Sequence, residues 1–373
     1  MDWKPQAVTL SQRVTHPTSR WRGAVALVPR HLLVPRWFAA EGEKWKAVDG
    51  SSDPVRWLKQ AYRDATIITR VGPVHADGAE EASGRPTSSS TLPTLVLMML
   101  RHLRVFEGAR VLDVGTGPGY AAALLSHRLG GNCVTSIDVD PYLVEVARER
   151  LGGLDLRPTL KVCDATGPLP GQYDRIVATV SVRPVPPSWL TALKPGGVLV
   201  TTLAGTSLIV TATKQEDGTA VGQVVSDGAG FMSTRTGLDY PPAVELPFHD
   251  EEGEEVYQGR FPVPDIENSW GLACMLEVTL PGVKHRFKDS PEGQRTTWLT
   301  HPDGSWARAS SHGCEPPTVH EAGPRKLWGV YETICCDWFV RGGGYPLVNS
   351  SLKITPDGVC HLSNWGWPGA TIG

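Results

Sequence analysis

The sequence predicts an α/β protein built on a doubly wound parallel sheet. Apolar segments of strand length alternate with helix-forming segments between residues 111 and 200, which is the order that a parallel sheet requires. The first of these strands runs into three glycines at alternate positions, and three successive strands end in an aspartate. These observations indicate a cofactor site where the strands end, because ligands of open α/β sheets bind there.

The first strand begins at residue 111 and ends in the acid Asp113, and the turn after it carries Gly115, Gly117 and Gly119. Glycine permits positive φ values and a close approach of the backbone to a ligand, which a Cβ would block. Residues 120–129 predict a helix, so the turn opens onto a helix N-terminus that favours an anionic group. Glycine-rich turns also join strands and helices without binding anything, and the turn alone leaves that alternative open.

Further strands extend this pattern. Residues 133–137 predict a second strand ending at Asp138, which lies about 20 residues past the glycines, where an acid can accept both ribose hydroxyls. A third strand over residues 160–163 closes with Asp164. The fourth and fifth strands are predicted at residues 173–179 and 193–200.

The glycine spacing separates two classes of cofactor. A dinucleotide loop reads Gly-x-Gly-x-x-Gly, whereas this chain reads Gly-x-Gly-x-Gly after Asp113. The tighter loop resembles motif I of the class I S-adenosylmethionine methyltransferases, which have a Rossmann-like fold. The resemblance implies S-adenosyl-L-methionine as cofactor and S-adenosyl-L-homocysteine as product, with Asp164 accepting from the adenine amino group. The residues that it assigns to the cofactor are Asp113, Gly115, Thr116, Gly117, Gly119, Tyr120, Asp138, Val139, Asp164, Ala165 and Thr179.

Motifs on both sides of the loop resemble the protein-L-isoaspartate O-methyltransferases in order and spacing. They lie at residues 28–35, 61–64, 87–93, 173–179 and 193–197, within a resemblance that covers residues 10–237. The resemblance implies methylation of a side-chain carboxylate, after which the next amide nitrogen displaces methanol and closes a five-membered succinimide. A carboxylate with a pKa of about 4 is already ionised at neutral pH, so the enzyme must supply position and needs no strong base.

Hydroxyl side chains before Pro93 suit the task of holding the acceptor carboxylate. Repair enzymes carry Thr-Ile-Ser here, and counting back from Pro93 puts Thr91 in the place of the serine and Ser90 in that of the isoleucine. The resemblance therefore implies Ser89, Ser90 and Thr91 as catalytic residues and Ser88 as a substrate contact. The alternative is that these hydroxyls cap the helix beginning near Pro93, and the two roles are compatible.

Two further substrate contacts are predicted after the fourth strand. The chain reads Ser181-Val-Arg183 where repair enzymes have small apolar residues. We expect Arg183 to pair with an acidic peptide, the alternative being a side chain in solvent. Ser181 is predicted to contact the same substrate.

The chain continues well beyond a hairpin predicted at Asp217-Gly218, where repair enzymes end. In the added region, residues 298–308 and 352–362 each predict a hairpin turning at Pro-Asp-Gly, and residues 248–259 predict a linker or exposed loop. Leu327, Tyr331, Ile334 and Trp338 share one face of a predicted helix. The predicted parts are an N-terminal helical, substrate-binding segment over residues 1–86, a methyltransferase core over 87–237 and an α+β extension over 238–373.

The extension has a resemblance of its own. Residues 326–328, 337–339 and 352–358, together with 21–37 near the N-terminus, resemble methyltransferases that accompany ribosomal peptide maturation, of the graspetide (ATP-grasp), lanthipeptide or lasso peptide kind. This implies a precursor peptide substrate, already cyclised by an ATP-grasp ligase, in which an aspartate is methylated and collapses to an aspartimide. The extension would then recognise the peptide. A repair enzyme of broad range and a non-catalytic binding protein on the same fold remain as alternatives.

Composition restricts the partners and the compartment. A net charge of −3 and a pI near 6.4 give no electrostatic reason to expect nucleic acid. Seven cysteines without a Cys-x-x-Cys pair indicate neither a disulfide framework nor a zinc site, and we predict no metal site. The N-terminus lacks a charged leader followed by an apolar run, so we expect a cytoplasmic protein that does not enter a membrane.

Overall fold

The computed structural model describes residues 2–237, 239–241 and 245–373. Its helices are α1 (Lys4–Val14), α2 (Arg22–Leu27), α3 (Arg30–Leu33), α4 (Pro54–Ala61), α5 (Pro93–Leu103), α6 (Tyr120–Leu129), α7 (Pro141–Gly152), α8 (Pro187–Ala192), α9 (Trp270–Thr279) and α10 (Leu327–Val340). Its strands are β1 (Arg36–Glu41), β2 (Lys44–Asp49), β3 (Ile67–Val71), β4 (Val74–His75), β5 (Glu81–Ser83), β6 (Pro86–Ser90), β7 (Val111–Val114), β8 (Val134–Asp138), β9 (Thr159–Val162), β10 (Tyr173–Val182), β11 (Leu193–Leu203), β12 (Leu208–Lys214), β13 (Ala220–Gly228), β14 (Glu255–Gln258), β15 (Lys284–Asp289), β16 (Gln294–Thr300), β17 (Trp306–His312), β18 (Thr318–Ala322), β19 (Ser351–Ile354), β20 (Cys360–Asn364) and β21 (Trp367–Ile372).

A ten-stranded sheet forms the centre of the molecule, in the order β21-β20-β19-β13-β12-β11-β10-β7-β8-β9. Strands β9, β8, β7, β10 and β11 run parallel. The chain places β8 and β9 on one side of β7 and β10 and β11 on the other, which creates a topological switch point beside β7. All four residues of β7 are buried, as expected for a parallel strand covered on both faces. The predicted class I methyltransferase fold is confirmed.

The N-terminal part combines helices α1–α4 with a six-stranded antiparallel sheet of β1–β6. The helices agree with the predicted helical segment, whereas the sheet was not expected. Its strands are short and only partly buried, and β2 buries none of its six residues fully, so the sequence carries little apolar signal there. The last strand, β6, pairs with β3 and leads directly into α5.

The C-terminal part contains a five-stranded antiparallel sheet, in the order β14-β18-β17-β16-β15, together with α9 and α10. Both predicted hairpins form: β16 and β17 pair across Gly304, and β19 and β20 pair across Gly358, each glycine having a φ of +88°. The final three strands return to the central sheet, where β19 pairs with β13. The extension is thereby attached to the core through a continuous sheet.

One expectation for this region was wrong. Within residues 248–259, predicted as a linker or exposed loop, the segment Glu255–Gln258 forms β14 and pairs with β18. Five acids mask the strand in the sequence, yet an edge strand tolerates charged side chains on its open side. The helix stripe is largely confirmed, because Leu327, Tyr331 and Ile334 are buried in the core on α10, while its fourth member, Trp338, is half-buried. The three-part division of the chain stays a prediction.

No helix in the described residues is both long enough and apolar enough to cross a lipid bilayer.

Candidate active site

The glycine turn after β7 adopts the conformation that its sequence predicts. Gly115, Gly117 and Gly119 have φ values of +93°, +50° and +95°, in the region that favours glycine. A Cβ on Gly117 would lie 3.2 Å from the carbonyl oxygen of Ser89, and one on Gly115 would lie 3.2 Å from the hydroxyl of Thr179. The turn therefore needs glycine both for its backbone angles and for its close approach to neighbouring segments.

A cavity of about 210 Å³ opens beside this turn. Predicted site residues that line it are Ser88, Ser89, Thr91, Gly115, Gly117, Asp138, Val139, Ala165 and Thr179. Lining residues that the sequence did not single out include Thr66, Leu143, Phe231, Arg235 and Tyr240. The predicted cofactor loop and the predicted hydroxyl segment thus face one cavity.

Asp138 is held at the carboxyl end of β8. Its Oδ2 accepts a hydrogen bond from the amide of Gly117 at 3.0 Å, and its Oδ1 accepts one from the amide of Asp140 at 3.1 Å. Burial raises the pKa of Asp138, while these two amide donors oppose the rise. A carboxylate has about four lone-pair sites, so Asp138 retains capacity to accept hydroxyl groups from a ligand in the cavity.

Asp113, the acid of the first strand, lies behind the turn and does not face the cavity. The prediction that it contacts the cofactor directly is therefore corrected. Asp113 is fully buried, and its Oδ2 accepts from the Ser136 hydroxyl at 2.8 Å. That hydroxyl is 2.7 Å from the hydroxyl of Thr116, which is also buried. Burial raises the pKa of Asp113 to about 7. Asp113 and Thr116 therefore support the glycine turn from behind.

Three other predicted cofactor residues are also absent from the described lining. The carboxylate of Asp164 accepts from the amide and hydroxyl of Thr166, at 2.8 and 2.7 Å, while its neighbour Ala165 faces the cavity. The ring of Tyr120 is buried beneath the Arg30 guanidinium, 5.2 Å away. Gly119 shapes the turn through its amide, which donates to Thr116. The direct contacts predicted for these residues have no support in this geometry.

The hydroxyl segment is strand β6 and the residue after it, not a loop. Ser88, Ser89 and Thr91 line the cavity, whereas Ser90 is buried, with its Oγ accepting from Arg30 Nε at 3.3 Å. The prediction of Ser90 as a catalytic residue is therefore corrected, because its hydroxyl is turned into the protein. The Ser88 hydroxyl also accepts from Thr69 at 3.2 Å, which fixes its orientation.

The capping alternative is wrong for these hydroxyls. The amide of Thr94, in the first turn of α5, donates to Asp64 Oδ1 at 2.9 Å, and the amide of Leu92 donates to the Thr66 hydroxyl at 3.2 Å. The cap position of α5 carries no side-chain capping bond of its own. Residues from the preceding helix-to-strand connection thus satisfy the helix end, and the hydroxyls of Ser89 and Thr91 are left to the cavity.

One wall of the cavity is formed by residues 230–235, which follow β13. Ser181 fixes this wall by donating from its amide to the Met232 carbonyl and from its hydroxyl to the Phe231 carbonyl, at 2.9 and 3.1 Å. Arg183 forms an ion pair with Glu277 of α9. Neither side chain is among the described lining residues, so the predicted substrate contacts of Ser181 and Arg183 are replaced by contacts within the chain.

The cavity fits a nucleoside-type cofactor. Backbone can approach a ligand at the glycine turn, Asp138 offers acceptors at the strand end, and the apolar residues Ile137 and Leu143 line the same cavity. Together, the sheet topology and this cavity define the class I methyltransferase fold.

Comparison with known proteins identifies the family. The sequence model for protein-L-isoaspartate(D-aspartate) O-methyltransferase matches residues 58–231. A protein-L-isoaspartate O-methyltransferase 2 from Rhodopseudomonas palustris is 31% identical over 178 residues, covering 45% of this chain and 80% of the relative. Another from the same species is 32% identical over 157 residues, covering 40% of this chain and 70% of the relative. The chain belongs to the protein-L-isoaspartate O-methyltransferase family, whose members are S-adenosylmethionine-dependent carboxyl O-methyltransferases.

Other relatives are matched over less of their length. The enzyme of Thermotoga maritima is 32% identical over 147 residues, covering 38% of this chain and 43% of the relative. The chain spans 59% and 50% of the relatives from Bradyrhizobium and Azorhizobium caulinodans. The alignment with a solved protein-L-isoaspartate O-methyltransferase structure covers 99% of this chain and 98% of that protein's chain, with 16% identity and a TM-score of 0.49. The family prediction is confirmed, while the peptide-maturation subgroup stays a prediction.

Proposed function

We propose that this protein is an S-adenosylmethionine-dependent O-methyltransferase that methylates an aspartate side-chain carboxylate of a ribosomal precursor peptide. The ester then closes to a succinimide, that is, an aspartimide. The observation that carries the reaction class is the junction of two segments in one cavity: the glycine turn approaches the Ser89 carbonyl so closely that a Cβ on Gly117 would lie 3.2 Å from it. Cofactor and acceptor positions are therefore adjacent.

Residues of the chain divide between these two positions. The turn at Gly115 and Gly117 would hold the cofactor through its backbone, and Asp138 would accept from its ribose hydroxyls. The chemistry that S-adenosylmethionine supplies when bound is a methyl group on a positively charged sulfur. Ser89 and Thr91 would position the acceptor by donating to one carboxylate oxygen, which leaves the other oxygen free to react.

A general base is unnecessary for the methylation. An aspartate carboxylate with a pKa of about 4 is ionised at neutral pH and loses no proton in the reaction. The later ring closure proceeds within the peptide: the following amide nitrogen attacks the ester carbonyl, methanol leaves, and the amide proton departs with it. The chain therefore has to orient the reactants and exclude water. The buried hydrogen bonds of Asp113 and Thr116 with Ser136 support this by holding the glycine turn rigid.

The C-terminal extension supports the choice of a dedicated peptide substrate. It is attached to the core by the β13–β19 pairing and by the Arg183–Glu277 ion pair, so it forms one continuous structure with the core. A precursor peptide cyclised by an ATP-grasp ligase is the partner that we propose for it, without nucleic acid or membrane. A cytoplasmic location is part of this proposal; all seven cysteines lie in the described residues as free thiols, which is compatible with a reducing compartment.

Protein-L-isoaspartate repair of broad substrate range is the second candidate. It is favoured by the relatives, which carry that activity in their names. Repair would act on the free carboxylate of an isoaspartyl residue through the same cavity and the same cofactor.

Mass spectrometry of two incubations with S-adenosylmethionine tests the proposal. One contains the cyclised precursor peptide encoded beside this gene, and the other contains a short isoaspartyl peptide. We expect the precursor to gain a methyl group and then lose methanol, ending one water lighter than it began. Methylation of the isoaspartyl peptide alone would favour repair, and methylation of neither would contradict the proposed reaction class. A matched incubation with Asp138→Ala, which removes the ribose acceptor, should leave both peptides unchanged.

A further inference from the structure

Arg235 is a cation in the cavity wall. Neither the glycine turn nor the hydroxyl segment of the sequence pointed to it. It lines the same cavity as Ser88, Ser89 and Thr91, and its side chain is only 6% exposed. Its Nη1 donates to the Thr87 carbonyl at 3.3 Å, so the guanidinium lies against the hydroxyl strand β6. This places a fixed positive charge beside the proposed acceptor position.

The guanidinium is poorly satisfied for a buried cation. Arginine carries five N–H donors, and in the described part of the chain the buried Nε of Arg235 has no hydrogen-bond partner. The nearest carboxylate oxygen, Asp140 Oδ2, is 3.8 Å from Nη2, which exceeds hydrogen-bond distance. Buried charges are normally paired and hydrogen-bonded, and this one is incompletely so.

Asp140 does not make up the deficit, since other groups already face it. Its Oδ2 lies 3.1 Å from Arg70 Nε and 3.1 Å from His75 Nε2, and its Oδ1 accepts from the Tyr142 amide. These groups hold the pKa of Asp140 below its ordinary value against the effect of burial. Arg235 is therefore the more available of the cations near this carboxylate for an anion that enters the cavity.

We infer that Arg235 binds the reacting carboxylate of the acceptor peptide and sets the specificity of the cavity for an anionic acceptor. The incompletely paired guanidinium donates to one carboxylate oxygen, while the Ser89 and Thr91 hydroxyls orient the group and the second oxygen stays free for methyl transfer. A carboxamide in the same position would present an N–H₂ group to the guanidinium and lose the charge-assisted bond. The inference rests on the proposed function, because it requires a carboxylate acceptor.

The other anion that could reach Arg235 is the amino-acid carboxylate of the cofactor. The two cases differ in which ligand loses affinity when the guanidinium is removed. If Arg235 contacts the acceptor, its removal weakens peptide binding and leaves cofactor binding intact. If it contacts the cofactor, its removal weakens the binding of both S-adenosylmethionine and S-adenosylhomocysteine. Calorimetry with S-adenosylhomocysteine therefore separates them without any turnover.

The experiment compares wild type with Arg235→Gln, using whichever peptide the wild-type protein methylates. We expect the KM for the peptide to rise about ten- to a hundredfold, the affinity for S-adenosylhomocysteine to stay unchanged, and Arg235→Lys to recover part of the loss. The matched control is Arg157→Gln, at a side chain that is 76% exposed, which should leave both the KM for the peptide and the affinity for S-adenosylhomocysteine unchanged. If the glutamine variant does not fold, the wild-type comparison below decides alone.

In that comparison, wild-type protein saturated with S-adenosylhomocysteine is titrated with the peptide and with its carboxamide analogue. Tighter binding of the carboxylate, by about tenfold or more, supports the assignment. Equal affinity of the two peptides, an unchanged KM in Arg235→Gln, or weaker S-adenosylhomocysteine binding in that variant would each overturn it while leaving the methyltransferase proposal standing. A wild-type protein that methylates no peptide would overturn the proposed function and this assignment together.

Discussion

Arg30 donates from its guanidinium to the carbonyl oxygen of Ser90 at 3.0 Å, although the two residues are 60 positions apart. The same group reaches four further carbonyl oxygens, those of Ala61, Arg63, Ala65 and Thr91. Burial lowers the pKa of Arg30 to about 10, so the side chain remains a cation at neutral pH. One buried cation thereby ties the end of the hydroxyl strand to the segment that follows α4.

Replacing Arg30 should therefore loosen the acceptor side of the site. Arg30→Lys keeps the charge but supplies three donors in place of the planar fork, which leaves several buried carbonyls unpaired. We expect a loss of about 3 kcal/mol or more in the free energy of unfolding, measured by urea denaturation. Arg157→Lys, at an exposed position, is the control and should lie within about 0.5 kcal/mol of wild type. Equal stability of the two variants would show that the carbonyl cluster does not depend on the guanidinium.

The hydroxyls of β6 should separate into two functional groups. Thr91→Val removes a hydroxyl that lines the cavity, and we expect turnover to fall about tenfold or more with little change in S-adenosylhomocysteine affinity. Ser90→Ala removes a hydroxyl that faces Arg30, so the expected loss is about 1 kcal/mol of stability with turnover nearly retained. Steady-state kinetics and urea denaturation of both variants provide the check. The reverse pattern, with turnover lost only in Ser90→Ala, would contradict the geometry of the strand.

The case of Ser90 also shows where sequence reasoning reached its limit. The glycine turn, the parallel strands and the hairpin at Gly218 are encoded locally, by glycine spacing and apolar runs, and these features were predicted correctly. Ser90 was assigned to the site because the segment was not recognised as a strand, in which Ser89 faces the cavity and the next residue, Ser90, turns into the protein. Arg235 was missed for a different reason: only the tertiary fold brings it to Thr87, and no local pattern marks an arginine whose partner is 148 positions away.

The glycine turn offers a matched pair of substitutions. Gly117 and Gly108 both have positive φ, at +50° and +79°, so alanine strains the backbone at either position by about 1 kcal/mol. A Cβ on Gly117 also approaches the Ser89 carbonyl to 3.2 Å, whereas one on Gly108 has no atom within 4 Å. We expect Gly117→Ala to weaken S-adenosylmethionine binding about tenfold or more in calorimetry, and Gly108→Ala to leave it unchanged. Equal affinities in the two variants would remove the turn from the cofactor site.

Asp113 should make the stability of the protein depend on pH in a direction opposite to that of a salt-bridged acid. Burial raises its pKa from 3.8 to about 7 in the folded protein, so the folded state binds the proton more tightly than the unfolded state. The two states bind equally many protons at this group well below pH 3.8. Between pH 3.8 and about pH 7 the carboxyl ionises in the unfolded chain while the buried one keeps its proton, so stability falls progressively, by as much as about 4 kcal/mol. Asp113→Asn does not ionise, and its amide oxygen can still accept from Ser136. Urea denaturation at about pH 5 and about pH 8 should therefore show that wild type loses more stability than Asp113→Asn between the two values.

Asp155→Asn, at a side chain that is 98% exposed, is the control and should follow the wild-type curve. Parallel pH profiles for wild type and Asp113→Asn would mean that the carboxyl behind the glycine turn keeps an ordinary pKa and that its burial is relieved by water or by movement of the turn.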